Sequence, residues 1–400
     1  MSARTERAPA SGGPQSRTKD VTLSGPAVTA AEPAPDPYSG GGDAAAGARS
    51  GATDGVVDGA TADGGPTATD WAAVVAAVRG LPADAPVLLV CHVNPDGDAL
   101  GSMLGFGLGL RRLGFRRIEA TFPGPLEVPE PFAALPGLEL LVPAGQVAPE
   151  PALMLCFDAA SETRLGELAG RLATAGVAVA LDHHASYTGF ATIGLVDPAA
   201  AATAVVAAAL LDRLGVPLDA QIAECLYVAL ATDTGSFKFD MTTPAVHELA
   251  ARLLATGIRP GEISRRVFDT RPFGAVRLYG EVLGRAQLET GAAGGQGLVW
   301  TYATLDDLMR HDQRPYVLEA LIDSVRCTAE ADVSCLVKQV GAAEWAVSMR
   351  SKGGTDVSAV AVALGGGGHR LAAGFTGYGE VTEVIAAIRD QLDVPVGDRA

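Results

Sequence analysis

The stretch CHVNPDGDALGS, Cys91 to Ser102, puts His92, Asp96 and Asp98 into one tight turn between two apolar runs, APVLLV and MLGFGLGL. Ionised carboxylates at the end of a buried strand are costly unless something compensates them. Three further clusters share that setting. Asp158 closes LMLCFD, Asp182 with His183 and His184 closes VAVALDHH, and Asp233 ends a helical pattern in ATDTGSF. Taken singly, each has an ordinary structural reading: a turn with a helix cap, a lone cap, a hydrogen-bonded surface pair, a helix end. Those readings leave the shared topology unexplained. So many carboxylates packed together raise one another's pKa unless cations hold them. Carboxylate mixed with imidazole, without thiolate, suits Mn²⁺ or Mg²⁺ better than structural zinc, and the supply of ligands allows two ions about 4 Å apart. Cys91 and Cys156 sit beside these clusters. Strand alternation points Cys91 away from His92, and both cysteines read as small core residues.

A second signal lies near the C-terminus. In GGGGHRLAAGF, Gly365 to Phe375, glycines let backbone N–H groups approach a phosphate, and His369 adds a side-chain donor. SMRSKGG supplies Arg350, Ser351 and Lys352, and arginine suits bidentate phosphate contact. A flexible turn and a solvated strand end are the plain alternatives.

The elements that must carry these residues alternate. APVLLVCHV, RRIEATFPG, ALMLCFDAA and VAVALDHHA read as strands, and Asp98–Leu113, GELAGRLATAG, AAAATAVVAAALLDRLG and DAQIAECLYVALATDTG as helices. That order predicts an α/β fold with a parallel sheet flanked by helices on both faces. Ligands in such sheets bind beyond the carboxyl ends of the strands. Three of the four clusters end strands, so they converge on one edge. Order begins near TDWAAVVAAVRGL, where Thr69 or Asp70 caps a helix with Trp71, Val74, Val75 and Val78 on one face. Beyond about residue 245 the pattern turns helical and then alternates again around GLVWTYA, DVSCLVKQV and EWAVSMRS, a smaller α/β domain. The expected division is a disordered low-complexity tail at 1–68, a catalytic domain at 69–250, a helical connector at 251–290 and a substrate-binding domain at 291–400.

Bulk composition narrows the partners. The 400 residues carry a formal net charge of −16, which disfavours binding of long nucleic acid. A short anionic ligand is still accessible through bound cations or a local basic patch. The five cysteines form no CxxC pair, which argues against a zinc ribbon or a disulfide framework and fits a reducing cytoplasm. The N-terminal residues hold no apolar h-region, and the longest apolar run, Ala199–Leu211, falls short of the ~18 residues of a membrane span.

In chain order, HVNPDGDALGS, Asp158, LDHHAS and ATDTGSFKF resemble the DHH phosphoesterase superfamily, and GGGGHRLAAGF resembles the GGGH motif of its DHH-associated C-terminal domain. Together they are similar to the NrnA-type group of oligoribonucleases and adenosine bisphosphate phosphatases. The resemblance runs from about residue 70 to the end. It implies a cleft between two domains and two Mn²⁺ ions, or Mg²⁺: His92 and Asp96 on the first, Asp98, His183 and Asp233 on the second, Asp158 bridging. It implies that His184 faces the scissile phosphate, that Asp182 orients a neighbouring histidine, and that Arg350, Ser351, Gly367, Gly368 and His369 grip the far end of the substrate. Tyr187 departs from the family, which has Asn there in DHH-x-SN. The implied activity is hydrolysis of short RNA, pApA or cyclic di-AMP, with adenosine 3′,5′-bisphosphate as a further substrate, by a cytoplasmic homodimer. Three other readings stand beside it. A family II pyrophosphatase shares the first domain but lacks the GGGH feature. A RecJ-like single-strand exonuclease adds nucleic-acid-binding domains and basic surface. A non-catalytic dinucleotide sensor keeps the fold without turnover.

Overall fold

The structure, a computed structural model, describes residues 65–393. The tail expected at 1–68 therefore lies almost wholly outside the described residues. The chain enters through α1 (Ala68–Arg79), whose cap is Thr67 rather than Thr69 or Asp70. The Thr67 side chain accepts from the Asp70 N–H, and the Asp70 carboxylate accepts from the Thr67 N–H, a reciprocal capping box that sequence patterning placed two residues late.

The first domain continues through β1 (Pro86–Cys91), α2 (Gly97–Arg112), β2 (Arg117–Thr121), β3 (Leu153–Phe157), β4 (Val177–Asp182), β5 (Ile193–Val196), α3 (Thr203–Leu214) and α4 (Ala220–Asp233). The sheet is parallel throughout, with strand order β2-β1-β3-β4-β5. The order reverses between β1 and β3, so the carboxyl ends of those two strands open the crevice of a doubly wound sheet. Side chains alternate across the sheet. Val87, Leu89 and Cys91 face the large core with α2, α3 and α4, while Leu88, Val90 and Cys156 face a smaller one. That second face is covered thinly. The expected helix GELAGRLATAG is instead a 3₁₀ segment over Glu162–Arg171, interrupted at Gly166, where φ is 48°. Strand β5, unforeseen in the sequence, is short and only half-buried, which leaves it little apolar alternation to read.

The helices of the expected connector divide between two cores. α5 (Pro244–Leu254) and α6 (Pro260–Val267) bury Leu249, Leu253 and Ile263 in the first domain's core. α7 (Phe273–Gly284) buries Ala275, Leu278 and Val282 against Val299 and Leu336 of the second. In that second domain β6 (Gln287–Glu289) pairs with β7 (Leu298–Ala303). The domain continues through α8 (Leu305–Arg310), α9 (Leu321–Arg326), β8 (Val333–Gly341), β9 (Glu344–Ser351), α10 (Val357–Ala363), β10 (Gly367–His369), β11 (Ala372–Tyr378) and α11 (Val381–Leu392). Its sheet is mixed, in the order β10-β11-β9-β8-β7-β6, with β7 and β8 parallel. Among the described residues no helix is long and apolar enough to cross a membrane.

Candidate active site

β1, β3 and β4 lie side by side and end level with one another, so His92, Asp158 and the Asp182–His184 run emerge at one sheet edge. Helix packing supplies the other two ligand candidates. Asp98 stands in the first turn of α2 and Asp233 ends α4. The two helices touch closely along Gly101, where an added Cβ would sit 2.4 Å from the Cys225 carbonyl. That approach brings both carboxylates to the end of β4.

The side chains fall into two groups sharing Asp158. In the first, His92 Nε2 is 3.4 Å from Asp158 Oδ2 and 3.8 Å from Asp96 Oδ1. In the second, His183 Nε2 is 3.1 Å from Asp233 Oδ2, 3.6 Å from Asp158 Oδ1 and 3.8 Å from Asp98 Oδ2. Asp158 thus offers one oxygen to each group. It does so from a left-handed backbone conformation, φ 56°, that aspartate tolerates better than most residues. In both imidazoles Nδ1 is 2.8–3.1 Å from a backbone carbonyl, Val93 for His92 and Ala200 for His183. A carbonyl only accepts, so Nδ1 carries the hydrogen and Nε2 turns its lone pair towards carboxylate oxygens. Lone pair against lone pair is repulsive unless a proton or a cation sits between them. The heart of the cluster is dry: His92, Asp98, Asp158 and His183 are buried, whereas the Asp96 side chain is exposed and Asp233 partly so.

The electrostatics record the same tension. Burial, with the charges of Asp233 and Asp158, pushes Asp98 well above the usual carboxylate range. Burial, partly opposed by His183, raises Asp233. Asp158 goes the other way: burial raises it, but hydrogen bonding to His92 and the three nearby imidazoles hold it well below the ordinary value. His183 is pulled down by burial and raised further by Asp233, ending well above the usual histidine value. The protein alone satisfies the cluster by sharing protons. Divalent cations do the same job with more charge, and the donor set, histidine nitrogen with carboxylate oxygen and no sulfur, fits hard or borderline ions.

Asp182 and His184 form a second layer. Asp182 Oδ1 accepts from His184 Nδ1 at 2.7 Å and from the backbone N–H of His183 at 2.7 Å, fixing the turn and leaving His184 Nε2 free. Asp182 Oδ2 is buried without a hydrogen-bond partner, an orphan that further marks this site as incomplete in protein atoms. Thr203, which the sequence reading missed, ties two ligand candidates together. Its N–H donates to Asp98 Oδ2 at 2.6 Å and its hydroxyl to Asp158 Oδ1 at 3.0 Å. Its signal was there: a lone polar residue heading an alanine-rich helix.

The second domain reaches this edge through the hairpin β10–β11. Gly368, at φ 138°, passes so close to β11 that a Cβ would lie 2.6 Å from the Ala372 carbonyl. The hairpin sets His369 against His184, ring centroids 4.6 Å apart and nearly parallel, and 4.8 Å from His183. Burial and the charges of His184 and His183 push His369 down to about 3, so it stands there as neutral imidazole. Gly367 is half-buried beside it. Arg350 is the penultimate residue of β9, opposite Ala372, and among the described residues its side chain donates to the Met349 carbonyl. Ser351 follows it as the last residue of β9. It is fully buried, its hydroxyl donating to Asp332 and accepting from Gly353, so it shapes the turn after β9. Tyr187 takes the Ala191 N–H on its hydroxyl and packs on Phe190.

Residues 86–230 match the DHH family, N-terminal domain, and residues 300–393 match the DHHA1 domain. A bifunctional oligoribonuclease and PAP phosphatase NrnA of Thermus thermophilus is 32% identical over 326 residues, 80% of this chain and 93% of that relative. The chain belongs to the DHH family. It is a hydrolase of phosphoester bonds, as the resemblance read from its motifs implied. A probable bifunctional oligoribonuclease and PAP phosphatase NrnA of Streptococcus mutans is 24% identical over 295 residues, 73% of this chain and 89% of that protein. Among solved structures, an exopolyphosphatase-related protein from Bacteroides fragilis superposes with a TM-score of 0.73 at 23% identity, covering 82% of this chain and 96% of that one. At that identity the likeness is one of fold, and it spans the DHH and DHHA1 domains together.

Proposed function

We propose that this DHH protein hydrolyses short RNA oligonucleotides and dinucleotides such as pApA and cyclic di-AMP to mononucleotides, and removes the 3′-phosphate of adenosine 3′,5′-bisphosphate. Mn²⁺ would be held by His92, Asp96 and Asp158 on one side and by Asp98, Asp158, His183 and Asp233 on the other. The observation that carries the reading is the meeting of His369 with His184 at 4.6 Å, which sets the glycine-rich hairpin against the two carboxylate–imidazole groups. A substrate gripped at both places must be short. The names of the Thermus and Streptococcus relatives support the same substrate class.

When bound, the cations supply Lewis-acid neutralisation of phosphoryl oxygens and a water of lowered pKa. The chain's own residues do the rest. Asp182 holds His184 by Nδ1, leaving Nε2 as the group that meets a phosphate placed beneath the hairpin. Thr203 and the first N–H groups of α3 keep Asp98 and Asp158 in register. Arg350 has no carboxylate partner among the described residues and is free to receive a phosphate oxygen. His369 closes the site against water from above.

The test is a substrate panel with Mn²⁺, Mg²⁺ or chelator, products resolved by chromatography. Mononucleotide release from dinucleotides, at a rate far above that on RNA of about 20 nucleotides, is the expected result, because a cleft closed at both ends rewards only what fits it. Equal rates on both lengths overturn the reading. Binding of a dinucleotide with no turnover under any cation overturns it in favour of a sensor.

A further inference from the structure

Arg326 ends α9 in an unusual setting for so acidic a chain. Its guanidinium carbon lies 4.8 Å from the ring centroid of Phe239, on the loop that leaves Asp233. Its Nε is sealed from water and meets no acceptor, and among the described residues the side chain has no hydrogen bond or ion pair. Several other arginines find carboxylates, among them Arg252 with Asp212, Arg266 with Glu224, Arg285 with Asp307 and Arg389 with Glu289. An arginine has five donors and no acceptor, so a half-buried one left unpaired is costly unless a ligand completes it. Arg350 is its counterpart on β9, likewise without a carboxylate. The two are electrostatic neighbours. Burial pushes Arg350 down, and both the Arg326 charge and that of Asp233 act on it. The carboxylates of Asp323 and Glu319 also act on Arg350, but neither forms an ion pair with either arginine among the described residues.

We propose that Arg326, with its plane held against Phe239, binds a non-scissile terminal phosphate of the substrate and so selects short oligonucleotides that carry one. This rests on the reading of the protein as a short-oligonucleotide phosphodiesterase. Phe239 lies on the loop that leaves α4, just past the stretch matching the DHH domain, and Arg326 lies within the stretch matching the DHHA1 domain, so the phosphate would be recognised where these two segments meet.

The dinucleotides pApA and ApA share the scissile bond and differ by the terminal phosphate, which separates this role from a structural one. Arg326→Gln is expected to raise KM for pApA about 10- to 100-fold, the range of a charge-assisted contact, with kcat and the kinetics on ApA nearly unchanged. Arg326→Lys should recover part of the loss, and Phe239→Leu, which keeps the cation but frees its plane, should raise KM for pApA alone. Equal losses on both dinucleotides make Arg326 a domain-interface support and overturn the proposal, as does no change on either. Unsubstituted protein that hydrolyses neither compound strikes the functional reading itself, and that is seen before any variant is measured.

Discussion

His184 and His183 are adjacent in sequence yet are given different work by their first neighbours. His183 spends Nδ1 on the Ala200 carbonyl and turns Nε2 into a nest of three carboxylates. His184 spends Nδ1 on Asp182 and keeps Nε2 for whatever enters beside His369. The substitution His184→Ala should therefore leave cation affinity nearly intact and slow the chemical step of single-turnover hydrolysis by about 10²- to 10⁴-fold, the usual yield of a positioned proton donor or charge stabiliser. An unchanged single-turnover rate removes His184 from the chemistry. Both histidines were legible as chemistry in the sequence. Their division of labour was not, because it depends on a carbonyl from the loop before α3.

At the scale of elements, the site depends on how closely α2 and α4 approach. Gly101 leaves no room for a side chain against the Cys225 carbonyl, with Ala229 almost as near. Because α2 carries Asp98 at its start and α4 carries Asp233 at its end, separating the helices separates the two carboxylates that share His183. Gly101→Val is expected to destabilise the fold by about 1–3 kcal/mol, the ordinary cost of overpacking, and to lower activity more than stability alone explains. A thermal melt with a cation titration on the same preparation checks this. A variant that loses stability but binds cations normally shows that the helix contact does not set the ligand geometry. Apolar periodicity announced both helices, but the glycines in α2 read as weak helix formers until the partner helix was in place.

For the molecule as a whole, the concentrated carboxylates make stability depend on pH in an uncommon direction. Asp98 and Asp233, through burial, and His183, through its carboxylates against burial, all have folded-state pKa values above their usual ones. Groups of that kind stabilise the fold below their unfolded pKa and lose the contribution as pH rises through the folded one. Asp158, held low, contributes fully across that range. Chelated protein should therefore melt at lower temperature as pH rises from about 5 to about 8. A divalent cation at about 100 times its Kd should restore about 2.7 kcal/mol, and at one fixed cation concentration the gain should be larger at the higher pH, because protons no longer compete and the Kd falls. A cation effect that shrinks with rising pH contradicts the assignment of the cluster as a metal centre.

The sequence by itself determined the parallel sheet, the ligand types and their place at strand ends, because alternation, turn residues and the cost of buried charge are local facts. It could not distinguish Ser351 from Arg350, neighbours on β9, since only the turn closed by Asp332 shows that the hydroxyl is already committed. Nor could it find Arg326, one of 30 lysines and arginines, whose buried Nε meets no acceptor among the described residues while its guanidinium lies over Phe239. Tertiary structure decided that Asp158 serves two groups at once and that His369 stacks on His184. Such contacts join residues far apart in the chain, and their energy depends on the space between elements, which no local pattern encodes.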